Sequence, residues 1–151
     1  MDKELQELIE QFLRILHLYS VITRKPKDYG TGDLLYFTEV HTIAMVGSKG
    51  KINVTKLAEL MGVTKGAISQ TIRKLVSKGL IMKRYTTNRK EVTLSLTEKG
   101  KIVYRGQELF RKDLFTFADS LYRQAKTDDV NTVRRLFTAI VRNMQERMQK
   151  I

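Results

Sequence analysis

The stretch Val54-Thr-Lys-Leu-Ala-Glu-Leu-Met-Gly-Val-Thr-Lys-Gly-Ala-Ile-Ser-Gln-Thr-Ile-Arg-Lys-Leu carries side chains suited to reading a nucleic-acid duplex. With Ile68, Ile72 and Leu75 on the inner side of a helix, Gly66, Gln70 and Arg73 turn outward, flanked by Ser69 and Lys74. Thr64 is suited to cap this helix, and Lys65 sits in its first turn. Arg73 can take guanine bidentately, Gln70 adenine, and Ser69 either a base or a phosphate. Such a face fits a major groove about 12 Å wide, N-terminal end first. The residues ahead of it meet the demands of a helix-turn-helix. Ala58 is small where two helices touch, and Gly62 tolerates positive φ in the turn. Leu57, Leu60, Val63, Ile68, Ile72 and Leu75 fall where the pair should pack on a third helix. An ordinary helical hairpin with a solvated outer face would share the bare Ala-x-x-x-Gly spacing, so the surroundings must decide.

Other chemistries find little support. The absence of cysteine excludes disulfides, thiolate zinc sites and cysteine nucleophiles. Two histidines, His17 and His41, are too few for a metal site, and no cofactor is expected. Paired carboxylates in a cleft, a Gly-rich phosphate loop and a nucleophile–His–acid set are all missing, which argues against an enzyme. Gly47-Ser-Lys-Gly is too short for a P-loop. No apolar run approaches the roughly 18–20 residues that span a bilayer. The acidic, amphipathic start is unlike a secretory signal, so a cytoplasmic protein is expected.

The position of the charge tells more than its size. The 151 residues carry a formal net charge of +12. Residues 1–55 hold 7 basic and 7 acidic groups and are neutral; residues 106–151 hold 9 and 6. Residues 56–105 hold 12 basic groups against 3 acidic ones, a net of +9 in one third of the chain. That is the footprint expected for a polyanion, because each neutralised phosphate releases a condensed counterion. A basic face kept for solubility would look similar on charge alone.

The elements that must hold this face follow from periodicity. Leu5, Leu8, Ile9, Phe12, Leu16 and Tyr19 recur every three or four residues, predicting a long first helix stopped by Pro26. Residues 26–37 read as a loop. A short helix follows, with Thr38 as N-cap and its end at Gly47, and Ser48-Lys-Gly-Lys reads as a turn. After the helix-turn-helix the period changes to two. Leu80-Ile-Met-Lys-Arg-Tyr and Glu91-Val-Thr-Leu-Ser-Leu predict a β-hairpin whose tip bears Asn88, Arg89 and Lys90. Those side chains can reach a minor groove, while Lys56, Lys83 and Arg84 are better placed for phosphates. Thr97 caps a long helix, and Thr127-Asp-Asp opens a last one striped by Val130, Val133, Phe137, Ile140, Met144 and Met148. The fold class is mainly α with a small β-hairpin wing. Terminal helices this apolar exceed what a roughly 100-residue winged core can cover, which points to a homodimer. Leu5, Leu8, Ile9, Phe12, Phe137, Ile140, Met144 and Met148 are the candidate interface residues.

These residues together resemble the MarR (multiple-antibiotic-resistance regulator) family of winged helix-turn-helix transcription factors. The resemblance rests on Glu39-Val-His-Thr-Ile, on Val54 to Leu75, on Lys78-Gly-Leu-Ile, and on Asn88-Arg-Lys-Glu-Val-Thr-Leu-Ser-Leu-Thr-Glu-Lys-Gly. It implies one MarR-like domain over residues 1–151, with dimerisation helices at about 1–25 and 106–151 and the winged unit at about 38–100. It also implies a dimeric repressor of a palindromic operator, released by a small aromatic, anionic or acyl-type effector. Candidates to line the effector pocket are His17, Tyr19, Tyr36 and His41. The family wing usually carries Asp-x-Arg where this chain has Asn88 and Lys90, removing a carboxylate–guanidinium pair and the planar fork of arginine. A competing reading is a winged-helix module that binds protein, although such modules usually lack a basic face like Lys65, Gln70, Arg73 and Lys74.

Overall fold

The computed structural model describes residues 2–85, 92–148 and 150. Its elements run α1 (Lys3–Thr23), β1 (Lys27–Asp28), β2 (Leu34–Leu35), α2 (Phe37–Lys49), β3 (Ile52–Asn53), α3 (Val54–Met61), α4 (Lys65–Ser77), β4 (Ile81–Tyr85), β5 (Val92–Leu96), α5 (Glu98–Gln124) and α6 (Thr127–Met148). The chain divides into two compact units, Met1–Gln107 and Glu108–Ile151. It is mostly helical, as the periodicity predicts, with two small antiparallel sheets where one hairpin was expected.

Within the first unit the core is aliphatic. Ile43 and Val46 of α2, Leu57 of α3, Ile68, Ile72 and Leu75 of α4, and Leu94 of β5 are all shielded from solvent. The three-stranded sheet has the order β3-β5-β4, with Ile81 opposite Leu96 and Ile52 opposite Leu94. Helix starts are set by side-chain caps: Asn53 Oδ1 accepts from the Lys56 N–H at 2.8 Å, and Thr64 Oγ1 from the Ala67 N–H at 3.2 Å. In the second unit α6 buries no residue, and Phe117 and Leu121 of α5 lie open to solvent.

Several expectations need correction. The 26–37 loop holds a two-residue ladder, Lys27 with Leu35 and Asp28 with Leu34. Its turn is gathered by Asp28 Oδ1, which accepts the N–H groups of Gly30 and Thr31 at 2.9 Å and of Gly32 at 3.0 Å. Those donors, Thr31 foremost, hold the Asp28 carboxyl below the usual carboxylate range. Helix α2 starts after Tyr36 rather than at Thr38, because the Glu39 carboxylate accepts the Tyr36 N–H at 2.9 Å. It also runs past Gly47, through Ser48 and Lys49, to a left-handed Gly50 at φ +70°. Gly47 is a close-approach residue instead: a Cβ there would lie 2.5 Å from the Tyr104 ring. Ile52-Asn53 forms a third strand that two residues were too few to announce. Finally, Leu60 and Val63 stay exposed: α3 turns Leu57 and Ala58 inward and leaves Leu60 outside, and Val63 lies past the left-handed Gly62 (φ +65°).

Candidate nucleic-acid interface

The helix-turn-helix closes as its sequence requires. Ala58 is buried, and its carbonyl accepts the Gly62 and Val63 N–H groups, so the turn is tied to the end of α3. Burial of Ile68, Ile72 and Leu75 fixes the rotation of α4 about its axis. Lys65, Gly66, Gln70, Arg73 and Lys74 are consequently exposed, Ser69 is half-buried, and Thr64 is exposed at the cap. Among the described residues, no carboxylate pairs with Lys65, Arg73 or Lys74. Gly66 has open space where a Cβ would stand, the nearest atom being Thr64 Oγ1 at 4.0 Å. The fold itself does not demand glycine there.

Two other basic residues differ in freedom. Lys56 on α3 lies 3.0 Å from Glu59 one turn on, both of them exposed, so the pair holds it only weakly. Arg84 is exposed on β4, beside Thr93 of β5. Asn88, Arg89 and Lys90 lie outside the described residues.

One polar link escaped the sequence reading. Glu39 is buried, and its second oxygen meets Lys78 Nζ at 2.8 Å. A single carboxylate thereby joins the start of α2 to the residue that closes α4. Each oxygen has its own donor, which is what a buried carboxylate requires. Lys99 extends the link, reaching the Lys78 carbonyl at 3.2 Å and Asp33 at 2.8 Å. Only the pairing of motif residues Glu39 and Lys78 across 39 positions could have signalled this, and spacing alone does not.

The candidate effector residues divide. Tyr19 meets Phe37 edge-on at 5.6 Å, and Phe37 stacks on His41 at 5.5 Å. Phe37, at the start of α2, joins Tyr19 to His41 and was not among the candidates. His17 and Tyr36 are exposed. Burial pushes the Tyr19 hydroxyl up and the His41 imidazole down from their ordinary values. For His41 the unfolded chain takes up a proton at higher pH than the folded one does. Stability is therefore complete above pH 6.5, the ordinary value, and declines as pH falls below it. Chemical denaturation at pH near 7.5 and near 5.5 should show this decline, and His41→Phe should shrink it; an equal decline in both proteins would refute the assignment.

Comparison with known proteins identifies the arrangement. Residues 35–92 match the model of the MarR family. That segment is similar to the winged helix-turn-helix of the MarR family. Two curated relatives, both from Bacillus subtilis (strain 168), are named uncharacterised HTH-type transcriptional regulators. YhjH is 29% identical over 115 residues, covering 76% of this chain and 66% of YhjH. YvnA is 22% identical over 108 residues, covering 71% and 69%. Among solved structures, Streptococcus pneumoniae FabT in complex with DNA superposes with a TM-score of 0.64 at 21% identity, covering 93% of this chain and 94% of FabT. Lactococcus lactis ZitR in complex with DNA gives 0.69 at 18% identity, covering 95% and 99%. The adhesin competence repressor of Streptococcus pyogenes gives 0.70 at 15%, covering 93% and 98%. The MarR-type fold thus extends well beyond the segment that matches the family model. Among the described residues, no group of three or more His, Cys, Asp or Glu could hold a metal ion, and no helix is long and apolar enough to cross a membrane.

Proposed function

We propose that the protein is a homodimeric, sequence-specific repressor that binds a palindromic operator in double-stranded DNA and releases it on binding a small effector. The observation that carries this reading is the exposed, carboxylate-free face of α4, formed by Lys65, Gln70, Arg73 and Lys74 around Gly66. A glycine that the fold does not need gives the first turn of α4 room to approach a phosphate backbone. Arg73 and Gln70 read bases, Ser69 a base or a phosphate, and Thr64, Lys56 and Arg84 set the register on phosphates. Asn88, Arg89 and Lys90 extend the contact towards the minor groove. FabT and ZitR, whose folds this chain shares, have been solved in complex with DNA.

Dimerisation is supported by the apolar stripes of α1 and α6, which bury no residue: Leu5, Leu8 and Ile9 are exposed on one, Phe137, Met144 and Met148 on the other. Phe12 and Ile140, half-buried, lie on the same stripes. Two copies would place two α4 helices about one turn of DNA apart, hence the palindrome. The Tyr19–Phe37–His41 cluster is the apolar wall offered to an effector, with His17 and Tyr36 beside it in the chain.

The test is a ratio. Arg73→Ala should weaken operator binding by about 1–3 kcal/mol per contact while leaving binding to random duplex nearly intact, so that one base position relaxes. Fluorescence anisotropy on both duplexes measures it, with the operator first selected from genomic fragments. An unchanged operator-to-random ratio would remove Arg73 from base reading.

A further inference from the structure

A cavity apart from the α4 face lies against the three-stranded sheet and has a volume of about 510 Å³. Four cations surround it: Lys51, Arg84, Lys101 and Arg105. They come from three places in the fold, the start of β3, strand β4 and the second and third turns of α5. Among the described residues, the one carboxylate paired with any of them is Glu98, which lies 2.6 Å from Lys101 and also feels Arg105. The remaining excess is roughly three positive charges in one concavity, and like charges gathered this way repel.

The cavity also holds an unmet donor. Ser95 lines it, and among the described residues Ser95 Oγ is the buried side-chain oxygen or nitrogen left without a hydrogen-bond partner. Register explains its position. Ser95 lies opposite Met82 and, two residues from Thr93, shares its face; Thr93 pairs with Arg84, so Ser95 and Arg84 lie on one side of the sheet. Lys51 precedes the Ile52–Leu94 pair and falls beside Ser95 on that side. An orphaned hydroxyl among cations lacks one thing, an acceptor. The other walls are apolar: Val46 and Gly47 of α2, Leu96 of β5 and the Tyr104 ring, which rests where a Gly47 side chain would be.

From these features we propose that the cavity binds a small phosphate monoester with a compact apolar body. The dianionic head would be held by Arg84, Arg105, Lys51 and Ser95, and its body would lie against Leu96 and Tyr104. Two guanidinium forks, one ammonium group and a hydroxyl suit the three oxygens and double charge of a phosphate better than a single carboxylate. A bare phosphate would leave the apolar wall uncovered. The occupant would brace the sheet at Arg84 against α2 and α5. The inference adds a ligand site separate from the Tyr19–Phe37–His41 cluster, and it rests on the proposed function only for the consequence of binding. Binding itself is measured on free protein, so its failure and a failure of DNA recognition are told apart.

The probe is phenyl phosphate, titrated calorimetrically into the full chain at fixed ionic strength, with benzoate and inorganic phosphate as comparisons. One phenyl phosphate should bind per chain, about tenfold more tightly than either comparison. Arg105→Gln should weaken it about tenfold, and Arg105→Lys less, because the charge remains but the fork is lost. Ser95→Ala supplies a second readout: it should raise the melting temperature of the empty protein while weakening phenyl phosphate about threefold. The proposal is overturned if phenyl phosphate shows no saturable binding, if it binds the Arg105→Gln protein as well as the original, or if benzoate binds equally. It is also overturned if no small anion binds while Lys51→Gln and Arg105→Gln lower the salt dependence of duplex binding, which would make the cavity a seat for DNA phosphate.

Discussion

Gly100→Ala is expected to destabilise the protein by about 3 kcal/mol, lowering its melting temperature by about 10 °C. A Cβ on Gly100 would fall on the Leu80 carbonyl oxygen, with the Leu96 side chain 3.4 Å away. That carbonyl cannot retreat freely. It accepts the Thr97 N–H at 3.2 Å, and Leu80 is itself buried at the mouth of β4. Thr97 Oγ1 meanwhile donates to the Gly79 carbonyl at 2.6 Å and accepts the Gly100 N–H at 3.0 Å, pinning the first turn of α5 to the α4–β4 corner. Moving either partner breaks part of this clamp. Gly66→Ala is the control, because open space surrounds it and a helix interior favours alanine. Thermal unfolding followed by circular dichroism compares the two, and equal midpoints would show that the corner yields without strain.

The second large effect is electrostatic. Duplex binding should weaken by a factor of about 10³ or more between 50 and 200 mM salt, provided the proposed dimer makes the six or more phosphate contacts that its basic faces allow. Each copy exposes Lys56, Lys65, Arg73, Lys74, Lys83 and Arg84 on α3, α4 and β4. The logarithmic slope against salt counts the ions released, so substitutions can apportion it. Lys74→Gln should reduce the slope by about two, one contact from each copy, with little change in base preference. Arg73→Ala should do the reverse. A shallow slope of about two or less for the unmodified protein would mean that the basic third of the chain faces water rather than phosphate.

Both predictions use residues whose roles were unequally visible in the sequence. The helix-turn-helix was legible because its constraints are local: Ala58, Gly62 and the Ile68, Ile72, Leu75 stripe lie within two short helices, and helical periodicity reports which side is covered. Leu60 and Val63 misled because composition marks them as core, while the packed side of α3 is taken by Leu57 and Ala58. Strands β1, β2 and β3 have two residues each, too few to display alternation, and only their partners define them. With β3 invisible, nothing placed Lys51 beside Ser95 and Arg84, so the sheet-side cavity could not be anticipated. The Gly100 clamp was half legible: Thr97 reads as a cap, but the Leu80 carbonyl that makes glycine obligatory arrives from 20 positions earlier.

The strand order β3-β5-β4 leaves β4 on the outside of its sheet, with one row of backbone amides and carbonyls unclaimed by a neighbouring strand among the described residues. A bare strand border of that kind invites a stray chain to add itself, which is how aggregation begins. Here the border carries Lys83 and Arg84 side by side, both exposed. An identical strand approaching it would bring cation against cation. The same pair that suits a polyanion therefore guards against self-templating, so neutral substitutions meant only to probe ligand contacts at β4 should also lower the concentration at which the purified protein stays dispersed.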